Sequence, residues 1–294
     1  MLDFRHETFL TLCSCESFTK TAELLHMTQP AVSQHIKYLE EVYGCKLFDT
    51  SNRKIKLTEQ GELLKEFTTS VLSDIKHFKE NIVSINTDIL QFKFGATLSI
   101  GEYVMPDILS NLLTTYPDMK VHMTVANTQT LLDQLNNGEL DFAIVEGLFD
   151  KSKYDTTLFS QENFIPVCSP QSEDANREVT IKDLTKSRLI LRESGSGTRE
   201  IFENILQKNN YSLDAFNKVV EVSNMSAIKK MVSNNLGISF MFEVVARKEI
   251  ESNTLSRINL SNYTEQREFN FVYLKNSYFR DRIMNIYQLL KQSQ

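Results

Sequence analysis

The sequence predicts an α+β multidomain chain: a small helical amino-terminal domain ending in a hairpin, one long helix, then a two-lobed α/β region. Three observations carry this expectation. The first sixty or so positions place apolar residues at helical spacing between capping residues. From Leu64 an apolar seam then recurs at intervals of three and four. At Gln91 the rhythm switches to short β-rich runs alternating with helical segments. A length of 294 residues leaves room for two domains of ordinary size.

Composition narrows the class. With 41% hydrophobic and 24% charged residues and few Gly or Pro, the chain is not collagen-like, disulfide-framed or wholly disordered. Thirty-two basic against 38 acidic side chains give a net charge of −6, which argues against indiscriminate coating of nucleic acid or anionic membrane. No run approaches the ~20 apolar residues of a membrane span, so no membrane partner is expected. MLDFRHETFL is charged from its third residue, unlike a secretory signal. Cys13, Cys15, Cys45 and Cys168 lack metal-site spacing and suit reduced thiols in a cytoplasm, with no bound metal.

The first helix carries Phe4, Thr8, Phe9, Leu10, Leu12 and Cys13 on an apolar stripe and ends near Ser17. The second opens at Phe18-Thr19 with Thr19 as its expected N-cap and runs through Ala22, Leu24 and Leu25. In the third, Thr28 caps, Pro30 sits in the first turn and Gly44 stops the helix. Val32, Ile36, Leu39 and Tyr43 mark its buried face, while Gln29, Ser33, Gln34 and Lys37 line the other. Two helices on a short connection, the second polar outside, form the helix-turn-helix pattern.

KLFDTSNRKIKLTEQG alternates about a polar turn and reads as a wing with Arg53, Lys54 and Lys56 near its tip. Beyond Thr58 a helix of about thirty residues carries Leu64, Phe67, Val71, Ile75, Phe78, Ile82, Ile85 and Ile89. So long a seam exceeds what one small domain covers, which predicts pairing with the same helix of a second copy. After Gln91, the runs FKFGATL, KVHMTVAN, LDFAIVEG, FIPVCSP, SRLILRE, KVVEVSN, GISFMF and FNFVYL are the expected strands. Their alternation with helices predicts mainly parallel sheets in two lobes, the chain returning near Phe269.

SFTKTAELLHMTQPAVSQHIKYLEEVYGCKLFDTSNRKIKLTEQG resembles the winged helix-turn-helix of LysR-type transcriptional regulators nearly position for position. The resemblance extends over nearly the whole chain. GATLSIGEYVMPDIL, LDFAIVEG and LRESGSGTRE resemble the branch regulating sulfur assimilation and carbon fixation. It implies a winged helix-turn-helix over residues 1–58, a linker and dimerisation helix over 59–90, and an effector domain over 91–294 like periplasmic solute-binding proteins. Within that domain, lobe I is expected at about 91–163 and 268–294 and lobe II at about 164–267. The implied function is sequence-specific binding of double-stranded promoter DNA, controlled by a small anionic effector held between the lobes. The implied partners are a homodimer, a homotetramer and RNA polymerase. Two positions depart from the family pattern: Thr50 where Arg usually opens the wing, and Thr21 where a small Ala is usual.

In that frame Gln29, Pro30, Ser33 and Gln34, with Thr28 ahead of them, enter the major groove, where Gln can bond an adenine edge with two prongs. Lys37 suits the phosphate backbone, Arg53, Lys54 and Lys56 the phosphates or minor groove, and Thr19 and Lys20 further backbone contacts. Over residues 1–90 ten basic side chains face thirteen acidic ones, so few phosphate contacts per subunit are expected.

In the α/β region Arg192, Glu193, Ser194, Gly195, Ser196, Gly197, Thr198 and Arg199 leave a strand and open a helix. Glycines that allow close approach, three hydroxyls and free helix N–H groups suit a small oxyanion or carboxylate. Thr97, Ser99 and Ile100 form a second such junction, and Thr128, Glu146 and Gly147 lie near further strand ends. The resemblance adds Asn224. Glu146 repels an anion unless protonated or paired, and the two expectations for it are pairing with Arg192 or binding a protonated group of the ligand. An enzyme reading lacks a nucleophile–base pair and a cofactor motif, so no catalytic residue is assigned. A disulfide switch within the effector domain lacks a second thiol, because Cys168 stands alone beyond residue 45.

Overall fold

The computed structural model describes residues 2–49, 55–82 and 90–294. They group into two compact units. One comprises Met1–Asp88 with Gln134–Asp141 and Leu274–Ile283; the other comprises Ile89–Asp133, Phe142–Tyr273 and Met284–Gln294.

The first unit opens with α1 (Arg5–Cys15), α2 (Phe18–Leu24) and α3 (Gln29–Tyr43). Ser17, in extended conformation, caps α2 by accepting from the Lys20 amide at 3.3 Å. The expected cap, Thr19, lies inside the helix; Ser17 takes the role because it is the last residue still extended. Thr28 accepts from Ala31 N at the head of α3, and Gly44 ends that helix in the left-handed conformation. Phe9, Leu12, Ile36, Leu39, Leu47, Phe48 and Leu64 form the core, each buried side chain contributing about 1.5–3 kcal/mol. Phe4 and Tyr43, both expected inside, are exposed: they lie beyond the helix crossings, and the Tyr43 hydroxyl bonds His6 Nε2 at 2.7 Å. Thr21 is fully buried and donates to Ser17 O at 2.8 Å, so its departure from the family pattern is one of packing.

The wing is an antiparallel pair, β1 (Phe48–Asp49) and β2 (Lys56–Leu57). Its expected tip, including Thr50, Arg53 and Lys54, lies outside the described residues. Thr58 accepts from Gly61 N at 3.0 Å and opens α4 (Glu59–Asn81). Leu64 points into the core of the helical domain, and the exposed apolar line on α4 starts instead at Leu63 and continues through Phe67, Phe78 and Ile82. Ile85 and Ile89 lie outside the described residues.

In the second unit β3 (Gln91–Ala96) leads through α5 (Leu98–Tyr103) and α6 (Met105–Thr115) to β4 (Lys120–Val125), which pairs parallel to it. Next, α7 (Thr128–Asn136) and β5 (Phe142–Val145) follow, β5 parallel to the other side of β3. The long β6 (Tyr154–Cys168) enters the second lobe, which holds β7 (Glu178–Val179), α8 (Ile181–Leu184), β8 (Arg188–Leu191), α9 (Gly197–Lys208) and β9 (Lys218–Glu221). It continues with α10 (Met225–Ser233), β10 (Ser239–Phe242), α11 (Glu243–Glu251), β11 (Ser256–Arg257) and β12 (Asn259–Leu260). The chain returns along β13 (Gln266–Leu274) and ends in α12 (Arg280–Gln292). The main sheet has the order β10-β6-β13-β5-β3-β4, so β6 and β13, side by side, join the lobes.

The pairing is more mixed than the expected parallel pattern. β6 with β10 and β5 with β13 are antiparallel, because a strand that returns to the first lobe must run against its neighbours. Helix α11 also goes unpredicted: in EVVARKEIE only Val245 and Ala246 are buried, a short apolar signal. Stacked rings fill the core of the first lobe, with Phe94 to Phe142 at 5.2 Å and Phe142 to Phe271 at 4.5 Å.

Candidate functional site

On α3 the cap at Thr28 and Pro30 in the first turn fix where the helix begins, and its buried residues fix which face remains outside. That outer face carries Gln29, Gln34 and Lys37 in the open and Ser33 half-buried. Gln29 Nε2 donates to Ser33 Oγ at 3.1 Å, and Lys37 stands 3.7 Å from Glu41, an exposed pair one helical turn apart. Such a pair holds its lysine weakly, so Lys37 is available to a phosphate. Thr19 and Lys20 are exposed at the head of α2, and Lys56 is exposed on the wing. The arrangement offers amide and hydroxyl groups on a projecting helix, flanked by scattered positive charge.

In the second unit the two predicted junctions meet at Glu146. β5 ends beneath it, and the carboxylate is buried. Thr97 Oγ1 donates to Oε2, Ser99 Oγ donates to Oε1 at 3.0 Å, and Thr128 Oγ1 donates to the Glu146 carbonyl at 2.9 Å. Burial pushes the Glu146 carboxyl up to about 7, against the lowering pull of the two hydroxyls and the Arg192 charge. The Arg192 charge acts on Glu146 without a hydrogen bond between the two side chains. That buried guanidinium is bidentate to the neighbouring Glu193, at 2.7 and 2.8 Å, because the next residue along the chain is within easier reach.

The amino end of α9 abuts the same place. Gly197 lies so close that an added Cβ would come 3.5 Å from Glu146 O and 3.8 Å from Gly147 Cα, and Gly147 itself has φ +96°. Ser196 and Thr198 are buried, Ser194 and Gly195 exposed. Thr198 Oγ1 has no hydrogen-bonding partner, so a buried hydroxyl waits at a helix N-terminus. Two expected contributors have other duties. Ile100 is fully buried in the core, and the Asn224 side chain caps α10 by accepting from Ala227 N at 2.9 Å.

Comparison with known proteins places the chain. The family described as "Bacterial regulatory helix-turn-helix protein, lysR family" matches residues 5–62, and "LysR substrate binding domain" matches residues 90–294. The chain belongs to the LysR family. It is a DNA-binding transcriptional regulator with an effector-binding domain, in a family of regulators rather than enzymes. This LysR-family regulator is 26% identical over 269 residues to the HTH-type transcriptional regulator CysL of Bacillus subtilis, covering 91% of this chain and 89% of that one. A cysteine mutant of OxyR from Corynebacterium glutamicum shares its fold at TM-score 0.63 and 23% identity, over 98% of this chain and 90% of that one. The Synechocystis CcmR regulatory domain, solved in complex with 2-PG, matches at TM-score 0.62 and 19% identity over 69% of this chain and 96% of that domain.

Sequence reasoning found the regulator's polar residues but not their pairing. That Thr97 and Ser99 serve Glu146 carries no mark in the sequence, since the partners lie 49 and 47 residues apart. Among the described residues no metal-holding cluster occurs, and no helix is long and apolar enough to cross a membrane.

Proposed function

We propose that the chain reads promoter DNA through Gln29, Ser33, Gln34 and Lys37, and that a small anion held around Glu146 and the head of α9 sets its activity. One observation supports the anion above all: the buried, unpartnered hydroxyl of Thr198 in the first turn of a twelve-residue helix whose first residue, Gly197, packs against Glu146 and Gly147. The CcmR domain, solved in complex with 2-PG, supports the same ligand chemistry at the level of the fold. An anion entering beside Glu146 favours the protonated carboxyl, which then donates a hydrogen bond instead of repelling.

A dimer formed through α4 belongs to the same reading. Leu63, Phe67, Phe78 and Ile82 are 69, 51, 52 and 48% exposed along one helix, apolar surface that a second copy would cover. A tetramer and contact with RNA polymerase extend it, and DNA as target sets the cytoplasm as its place of work.

Thermal unfolding with inorganic sulfate, inorganic phosphate and 2-PG tests the anion site. At least one is expected to raise the Tm of the wild type, with Thr198→Ala and Ser99→Ala weakening that shift about tenfold in apparent affinity while a gel shift on the upstream DNA is retained. A wild type indifferent to all three anions, or variants that respond unchanged, would sink the site assignment.

A further inference from the structure

The turn at residues 137–141 is fastened to α4 by three separate contacts. Lys76 Nζ donates to Asn137 O at 3.1 Å, His77 Nδ1 lies 3.3 Å from Asp141 Oδ1 with both side chains largely buried, and Gly138 is pressed against Ser73. A Cβ on Gly138 would come 2.9 Å from Ser73 Cα, and its φ of +61° also suits glycine. A second turn grips the same stretch: Asp74 accepts from Ser277 Oγ at 2.7 Å and from Tyr278 N at 2.8 Å, and Phe279 meets the His77 ring edge-on. Four polar residues within one short stretch of α4, Ser73, Asp74, Lys76 and His77, thus hold two turns that come from far along the sequence.

The chain on either side of the first turn leads to the candidate anion site. α7 begins at Thr128, whose hydroxyl bonds the Glu146 carbonyl; β5, after the turn, ends at Val145, the residue before that Glu146. A helix and a strand, each stiff, therefore form a strap closed at one end by a hydrogen bond and bolted at the other to the linker helix.

We propose that the α7–turn–β5 strap carries the state of the anion site to α4, through Asn137, Gly138 and Asp141. The inference rests on Thr128 and Glu146 belonging to the effector site. A ligand that binds one position of the Thr128–Glu146 junction better than another must then shift the turn, and the helix that holds it, by the difference in affinity. The strap is one continuous segment with a contact at each end, and hydrogen exchange decides whether the two ends are coupled.

Amide hydrogen exchange on the full chain tests this. Thr128→Val opens the hydrogen bond at the anion end and is expected to speed exchange about threefold or more in peptides spanning 70–79 and 135–141, with Thr128→Ser restoring wild-type exchange. Peptides of α2 and α3 serve as the internal control and stay unchanged. Faster exchange at 142–147 alone, or no change at 70–79, overturns the proposal. In the second arm, whichever of sulfate, phosphate or 2-PG binds the wild type is added to it and to Gly138→Ala. The variant is expected to keep its affinity for the anion and lose the anion-induced change at 70–79; a variant that keeps both overturns the strap. If no anion binds the wild type, the effector reading fails, and the Thr128→Val arm still decides whether the two ends are coupled.

Discussion

Helix α3 and the surroundings of Glu146 use similar polar residues in opposite ways. On α3, Gln29, Gln34 and Lys37 face water, and the helix that presents them is fixed from behind by Val32, Ile36 and Leu39. Around Glu146, Thr97, Ser99 and Thr198 are buried, and all but the last bond within the site. The outward polar groups of α3 hold only exposed contacts, Gln29 with Ser33 and Lys37 with Glu41, which a base edge or a phosphate can replace. Around the buried Glu146 the polar groups are matched in advance, because an unmatched group in low dielectric is costly.

The comparison breaks first where α3 is supported. Phe9→Ala removes a fully buried ring from the helical core and is expected to cost about 3–5 kcal/mol of that domain's stability, abolishing DNA binding at moderate temperature. Calorimetric unfolding that leaves the anion-dependent transition in place would show that the two regions depend on separate cores. Loss of both together would refute that independence.

Charge at the anion site comes next. The folded Glu146 keeps its proton up to about 7, against 4.5 in an open chain. The resulting stabilisation is whole below pH 4.5 and disappears as pH rises through about 7. Glu146→Gln stays neutral throughout, so the wild type is expected to lose up to about 3 kcal/mol relative to this variant between about pH 5 and pH 8. Anion affinity in the wild type should fall over the same interval and stay level in the variant. Parallel pH profiles for the two proteins would mean that Glu146 is ionised throughout.

The smallest effects separate the two kinds of contact on α3. Gln34→Ala is expected to cost about 1–3 kcal/mol on the specific site and little on random DNA, as a base contact does. Lys37→Ala should weaken both about equally and lower the salt dependence by roughly one unit, as a phosphate contact does. Anisotropy titrations at several salt concentrations tell them apart, and equal losses for Gln34→Ala on both DNAs would remove its role in base reading.

Much of the helical domain was legible in the sequence because its signals are local. Val32, Ile36 and Leu39 recur at helical spacing, Thr28 and Gly44 mark the ends of α3, and Phe48 and Leu57 alternate across the wing. Errors there were small and physical: Ser17 rather than Thr19 caps α2, and Leu63 rather than Leu64 opens the exposed line on α4. In the effector domain most strands were legible as β-rich runs, and the parallel pairs β3–β4, β3–β5 and β8–β9 follow the expectation. The antiparallel pairs β6–β10 and β5–β13 join segments far apart in sequence and were not legible.

By itself the sequence determined the order of the parts and the polar outer face of α3, because periodicity and capping act over a few residues. Only the tertiary structure decided that Thr97 and Ser99 serve Glu146, that Arg192 bonds Glu193, that Thr198 is left without a partner, and that Gly138 rests on Ser73. Those outcomes depend on which groups burial brings within about 3 Å of one another, and that competition is settled only when distant segments pack.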